Sequence, residues 1–270
     1  FYTGLLGLRL DAYDAGSDTA TIVDGLSMPV LFAGPRATDL APYMGEVQEI
    51  AAPGTTLYFH EADIDTRLPT LVGAGLSEVQ LVERRWGERR LVLRGPDGYQ
   101  VVLWAVPTRT REETLALYIQ AARELQALTE KVSEQELDLS QRLGRWTIRQ
   151  IVHHIVDADA MQLPWIKMAL SEPGRVWVPN IYSPQEWSDS VGRTSLPVGA
   201  SVKLFVAIRE HVAELVQHLG PGSWESYTVN AQGEKTPVGS IIGMLSSHAL
   251  EHIDEIAEIR GLHPTELPRK

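Results

Sequence analysis

The strongest constraint on this chain is a change of period near residue 107. Before that point apolar residues recur mostly at every second position. They fall in short runs broken by Gly, Pro and Asp: LRLDAYD (8–14), TATIVDG (19–25), MPVLFAG (28–34), TTLYFHEA (55–62), SEVQLVERR (77–85), ERRLVLRG (88–95) and YQVVLWAV (99–106). Residues two apart share one face of a strand, so each run reads as a strand. Two short helical pieces, near 1–6 and 63–74, precede the Gly-Leu pairs Gly7-Leu8 and Gly75-Leu76. The order helix, Gly-Leu, three strands therefore occurs twice, as a weak internal repeat. The chain opens FYTGLLGL without Met, which reads as a start inside an element, with residues expected upstream.

After Pro107 the period becomes 3.6. Arg111–Val132, Thr147–Leu170, Val198–Leu219 and Pro237–Arg260 each carry an apolar stripe at steps of three and four, the mark of a helix with one buried face. Thr147 with Gln150 has the capping-box spacing, Pro237 suits a first helical turn, and Gly220 and Gly261 stand where helices end. The connection 171–197, rich in Pro, Trp and Ser, reads as one long crossover in a four-helix bundle. The expected fold is α+β in two domains: a strand-rich domain over 1–106 and a helical bundle over 107–270, with the boundary near 105–111. A chain of 270 residues is long enough for both.

A net charge of -11 and the lack of a basic run argue against nucleic acid as a partner. No apolar run approaches the ~18 residues of a membrane span, and no signal peptide is visible, so no membrane partner is expected and the cytoplasm is the expected location. The absence of cysteine excludes disulfides, thiolate ligands and a cysteine nucleophile. Any transition metal would have to use imidazole and carboxylate.

The stretch SSHALEHIDEI (246–256) bears on that point. His248 and His252 lie four apart along the stripe of Ile241, Leu245, Ala249, Ile253 and Ile256, away from the charged side assigned to Glu251, Asp254, Glu255 and Glu258. Two imidazoles at i, i+4 are neighbours on one face. Burying them without partners is costly, and a shared divalent ion removes that cost for both. Spacing alone leaves a metal pair and a packed core pair both open. The zincin glutamate is missing, since the motif reads His-Ala-Leu-Glu-His. In GRWTIRQIVHHIVDADA, His154 shares a stripe with Thr147, Ile151, Ala158 and Met161, whereas His153 points about 100° away. A bundle core can set His154 opposite the 248/252 pair. Three protein ligands with an open position is a catalytic rather than a structural pattern. His153 is expected at the surface or behind a ligand, and His211, His218 and His263 are given no role.

Those segments carry a resemblance. Residues 110–265 resemble the DinB/YfiT-like superfamily, through GRWTIRQIVHHIVDAD and SHALEHIDEI in their order and helical setting. The resemblance implies a divalent metal, zinc or nickel, on His154, His248 and His252. It also implies a metal-dependent enzyme: a transferase using a low-molecular-weight thiol of the bacillithiol or mycothiol type as cosubstrate, or a hydrolase of a small amide or ester. Asp157, three residues after His154, is the candidate catalytic base or supporting carboxylate, with a solvated helix-face charge as the alternative. A protein that only sequesters a small molecule remains a third reading. The expected partner is a small-molecule substrate, and a homodimer is compatible with this reading.

Residues 1–106 resemble the glyoxalase/bleomycin-resistance/dioxygenase superfamily through FYTGLLGLRL, LYFHEADIDTRLPTLVGAGL and GPDGYQVVLW. The resemblance implies βαβββ-type modules forming a cupped sheet, with the strand ahead of Phe1 missing. At the positions where metalloenzymes of that superfamily place ligands, Thr56 and Val102 stand here, so this half is expected to hold no metal. By alternation, Tyr58 and His60, and Gln100 and Trp104, would line the cup as a binding surface. Plain core packing is the alternative for Tyr58 and Trp104.

Overall fold

The change of period is a change of architecture. A computed structural model describes residues 1–16, 18–23, 30–33, 56–96, 98–105, 108–178, 184–230 and 233–262. The chain divides into two compact units, Phe1–Thr108 and Arg109–Lys270. Residues 106 and 107, where the period changes, lie outside the described residues, as do parts of the 19–25, 28–34 and 55–62 runs.

In the first unit β1 (Arg9–Asp14), β2 (Thr19–Val23) and β3 (Val30–Ala33) form an antiparallel sheet in chain order. A second sheet follows from β4 (Thr56–His60), α1 (Ile64–Gly73), β5 (Gln80–Glu83), β6 (Arg89–Arg94) and β7 (Gln100–Ala105). Its strand order is β4-β7-β6-β5, with β4 parallel to β7 and the other pairs antiparallel. Parallel neighbours need a crossover, and α1 supplies it. The Asp63 side chain caps α1 by accepting from the Thr66 amide at 3.0 Å. Alternation along the strands sends Leu57, Phe59, Leu91, Leu93, Val101 and Leu103 to one face, where they pack with Leu71, Leu8 and Ile22 in a core shared by both sheets.

One expectation is corrected here. Residues 2–5 form hydrogen-bonded turns rather than a helix, with the Leu5 and Leu6 amides both donating to the Phe1 carbonyl. All six residues of β1 are exposed despite their alternating pattern. The Gly-Leu repeat has a backbone cause: Gly7 and Gly75 have φ of 69° and 92°, a region costly for any residue with a Cβ.

The second unit contains α2 (Arg111–Thr129), α3 (Glu134–Leu137), α4 (Ile148–Ser171), α5 (Pro184–Ser190), α6 (Gly199–Leu219) and α7 (Val238–Ile259). A short hairpin, β8 (Tyr227–Val229) with β9 (Lys235–Pro237), precedes α7. α2 and α4 each pack against both α6 and α7. The Thr147–Gln150 capping box is formed in both directions, and Thr110–Glu113 and Ser133–Glu136 form two more. Among the described residues no helix is long and apolar enough to cross a membrane.

The four long helices meet at Arg209 of α6, whose side chain is 0% exposed. Its Nε and Nη2 donate to Asp159 of α4 at 2.7 and 3.0 Å, Nη1 to the Tyr118 carbonyl of α2 at 2.8 Å, and Nη2 also to the Leu245 carbonyl of α7 at 2.9 Å. The guanidinium carbon lies 4.2 Å from the ring centroids of both Tyr118 and Phe205. A buried guanidinium is tolerated when its charge is paired and its donors are used, and here both conditions hold.

The crossover is not a bare loop. Trp177 stacks on Trp165 of α4, with centroids 6.3 Å apart and planes 9° apart. Further along, Trp146 Nε1 donates to Gln185 at 2.8 Å and Gln150 Nε2 donates to Ser188 Oγ at 2.7 Å. Near the end of the crossover, the Leu196 carbonyl lies 3.0 Å from His153 Nε2 and 3.3 Å from Arg149 Nη1. The segment thus returns along α4 and is fastened to it by side chains. His153, expected at the surface or behind a ligand, is 3% exposed. Its second nitrogen lies 3.0 Å from Ser201 Oγ, and its place is the seam between α4, the crossover and α6.

Candidate metal centre

α7 buries the stripe that its sequence marks. Ile241, Leu245, Ala249, Ile253 and Ile256 are all buried, so the helix cannot turn its histidines to solvent without exposing that stripe. His248 and His252 therefore face the bundle one turn apart, and α4 brings His154 against them. His154 Nε2 and His248 Nε2 are 3.0 Å apart. The ring centroids lie 5.0 Å apart for His154–His248 and for His154–His252, and 4.8 Å apart for His248–His252. One ligating atom from each lies within 4.8 Å of the others.

These atoms fit a metal. Two nitrogens held ~2.0–2.1 Å from one ion at the tetrahedral angle would sit ~3.3–3.4 Å apart, near the 3.0 Å between His154 Nε2 and His248 Nε2. Burial, with like-charge repulsion from His252 and Arg193, pushes the His154 pKa down to about 3. Burial also holds His248 well below the ordinary histidine range. Both rings are therefore neutral near pH 7 with lone pairs available, as ligation requires. His252 Nδ1 lies 3.0 Å from Glu255 Oε2, the contact that fixes a ligating ring and leaves Nε2 toward the cluster. His154 Nδ1 and His248 Nδ1 are buried without a hydrogen-bond partner. Imidazole ligands suit zinc and nickel alike.

Around this trio the structure adds groups that local patterns did not reveal. The Trp146 ring lies 4.8 Å from the His154 ring, and the Trp146 indole also bonds Gln185 of α5. Asp157, the candidate base, pairs with Arg193 of the crossover rather than with a histidine. Glu255, assigned to the solvated side of α7, instead backs His252; its i+3 spacing was the available signal. Asp254, assigned to the same side, is 6% exposed. Trp177 sits by Trp165, eleven residues and about 16 Å along α4 from His154, so of the two crossover tryptophans only Trp187 belongs to this neighbourhood. Arg193 lies across its ring at 5.3 Å.

The candidate binding residues of the first unit share a sheet face. The register pairs Thr56 with Gln100, Tyr58 with Val102 and His60 with Trp104. Thr56 Oγ1 donates to Gln100 Oε1 at 3.0 Å, and the His60 and Trp104 rings meet edge-on at 5.2 Å. Tyr58 is exposed, with the Arg90 guanidinium 5.9 Å from its ring centre. Arg90 is buried and paired to Glu88, which also accepts from Trp86 Nε1 at 3.2 Å.

A protein of Oceanobacillus iheyensis, provisionally named a metal-dependent hydrolase, is 27% identical over 128 residues, covering 47% of this chain and 73% of its own. Among solved structures, YfiT from Bacillus subtilis, a four-helix bundle, is similar with a TM-score of 0.51 and 21% identity, over 58% of this chain and 93% of that one. At that identity the likeness concerns the fold alone. A glyoxalase/bleomycin resistance protein/dioxygenase superfamily member from Sphaerobacter thermophilus is 24% identical over 39% of this chain and 83% of that one, with a TM-score of 0.27, too low to argue from. Residues 117–256, more than half of the chain, match the DinB superfamily, and the chain belongs to that superfamily.

Proposed function

We propose that the second unit is a metal-dependent enzyme in which His154, His248 and His252 hold one divalent ion, zinc or nickel, with an open position for a nucleophile. The observation that carries this reading is the convergence of three imidazoles within 4.8 Å, two of them held neutral by burial. A divalent ion there supplies Lewis acidity that lowers the pKa of a bound thiol or water.

The chain's own residues do the rest. Glu255 orients His252, and the Trp146 ring fixes the face of His154. α5 is fastened beside the start of α4 through Gln185 and Ser188. Asp157, paired through Oδ2 with Arg193, has Oδ1 to accept the proton that the nucleophile gives up. The nucleophile of this reading is an exogenous low-molecular-weight thiol of the bacillithiol or mycothiol type, since the chain has no cysteine, and the reaction is its S-transfer to a small electrophile. The second reading, hydrolysis of a small amide or ester, is favoured by the provisional names of the relatives. In the first unit we propose a glyoxalase-like module whose Tyr58, His60, Gln100 and Trp104 face forms a small-molecule surface.

Conjugation of monochlorobimane with bacillithiol, mycothiol or glutathione tests the reaction. Turnover that requires both thiol and metal is expected. Turnover that survives chelation, or that needs no thiol, defeats the transferase reading. Thiol-independent cleavage of amides or esters by metal-loaded protein puts hydrolysis in its place.

A further inference from the structure

Arg193 has no role in the three-histidine cluster itself but is buried beside it. It comes from the crossover, yet its side chain is 2% exposed. Its Nη2 pairs with Asp157, and its guanidinium carbon lies over the Trp187 ring, 5.3 Å from the ring centre. Nη1 is buried and makes no hydrogen bond, and Nη2 meets Asp157 as an ion pair only, with no hydrogen bond of its own. An unsatisfied buried donor costs roughly 1–3 kcal/mol, more on a charged group, and a guanidinium presents two parallel N–H groups that match a carboxylate edge. Arg209, buried in the same bundle, shows what full satisfaction looks like, with every nitrogen donating. Arg193 has an unused side.

Its place gives that side a meaning. Asp157 is three residues after His154 on α4, so their side chains neighbour one another on one helix face. The Arg193 charge reaches His154 and contributes to keeping it neutral. α5, which carries Trp187, is fastened to Trp146, and Trp146 touches His154. Arg193 thus stands at the edge of the three-histidine site, beside a flat aromatic surface, held by a carboxylate that leaves Nη1 without a partner.

We propose that Arg193 is a substrate-binding residue that takes the carboxylate of a planar, carboxylate-bearing substrate through Nη1, with Trp187 beside the substrate's flat part. The assignment rests on the bundle site being where substrate binds, but it does not require the metal, because the guanidinium is charged and positioned without one.

The test uses the full chain, metal-stripped and zinc-loaded, titrated calorimetrically with benzoate and with its neutral isostere benzamide. The metal-stripped chain should bind benzoate at least tenfold more tightly than benzamide. Arg193→Gln should weaken benzoate at least tenfold and leave benzamide unchanged, and Arg193→Lys should restore part of the preference. Equal affinity for the two probes in the unsubstituted chain, or benzoate affinity unchanged in Arg193→Gln, overturns the proposal. Should Arg193→Gln not fold, the benzoate–benzamide comparison in the unsubstituted chain decides alone. Elemental analysis of the same samples keeps the two readings apart. Benzoate preference in a chain that takes up no metal supports Arg193 while removing the metal reading, and full metal with no preference does the reverse.

Discussion

Two buried arginines in one bundle lead different lives. Arg209 and Arg193 are 0% and 2% exposed, and each faces a carboxylate of α4, Asp159 and Asp157, only two residues apart. Arg209 meets a carboxylate that is itself fully buried, two backbone carbonyls and two aromatic rings. Arg193 meets a carboxylate that is 29% exposed and one ring, and keeps a donor unused. The first arrangement closes on itself and fixes how four helices meet. The second is open, and it stands by the histidines. The difference separates a charge that holds the fold from a charge kept for a ligand.

Removing each guanidinium should expose that difference at its largest. Arg209→Met leaves Asp159 buried and unpaired, and breaking such a pair costs about 3–5 kcal/mol. Arg193→Gln leaves Asp157 with a side chain that is 29% exposed, and should cost about 1 kcal/mol, the net value of one lost polar interaction. Urea unfolding of the metal-free variants measures both. Equal losses would erase the distinction between clamp and ligand site.

A backbone substitution calibrates the scale. A Cβ at Gly239, in the first turn of α7, would lie 2.4 Å from Trp224 Cε2. Gly239→Ala should therefore destabilise by about 1–3 kcal/mol, the usual cost of overpacking, below Arg209→Met and above Arg193→Gln.

The pH dependence has a defined sign. His154 titrates at about 3 in the folded chain against 6.5 for a free imidazole, and His248 also lies well below 6.5, in both cases chiefly because they are buried. The unfolded chain therefore binds more protons below pH 6.5. The metal-free chain should keep its stability above that pH and lose it progressively as pH falls from 6.5 toward 3. His154→Asn should flatten this slope. An unchanged slope would mean that the ring is more hydrated than its burial implies.

The smallest structural change concerns Glu255. Glu255→Gln should leave folding nearly unaltered but weaken metal binding roughly 10–100-fold, the typical effect of losing a carboxylate behind a ligating histidine. Competition with a fluorescent zinc chelator reads this directly.

Periodicity made much of this architecture readable in advance. The four long helices begin and end within three residues of the stripes in the sequence, because burying a stripe fixes both the helix and its extent. The 248/252 pair was legible for the same reason: i, i+4 spacing on a buried stripe leaves the rings one direction to face. Other features were out of reach of local pattern. Arg193 and Asp157 are 36 positions apart and Arg209 and Asp159 50 apart, and nothing in either segment marks an arginine for burial. α5, PQEWSDS, is polar enough to read as loop, and its helix depends on contacts with Trp146 and Gln150. Asp254 and Glu255 were placed by charge, whereas their burial and pairing depend on what lies against α7.

Metal content tests the central claim most directly. The full chain, purified with zinc and nickel available and analysed for both elements, should carry one divalent ion per chain, and Ala at His154, His248 or His252 should each abolish it while the bundle stays helical. A chain that carries no divalent ion, or a His248→Ala variant that keeps a full equivalent, would contradict the account.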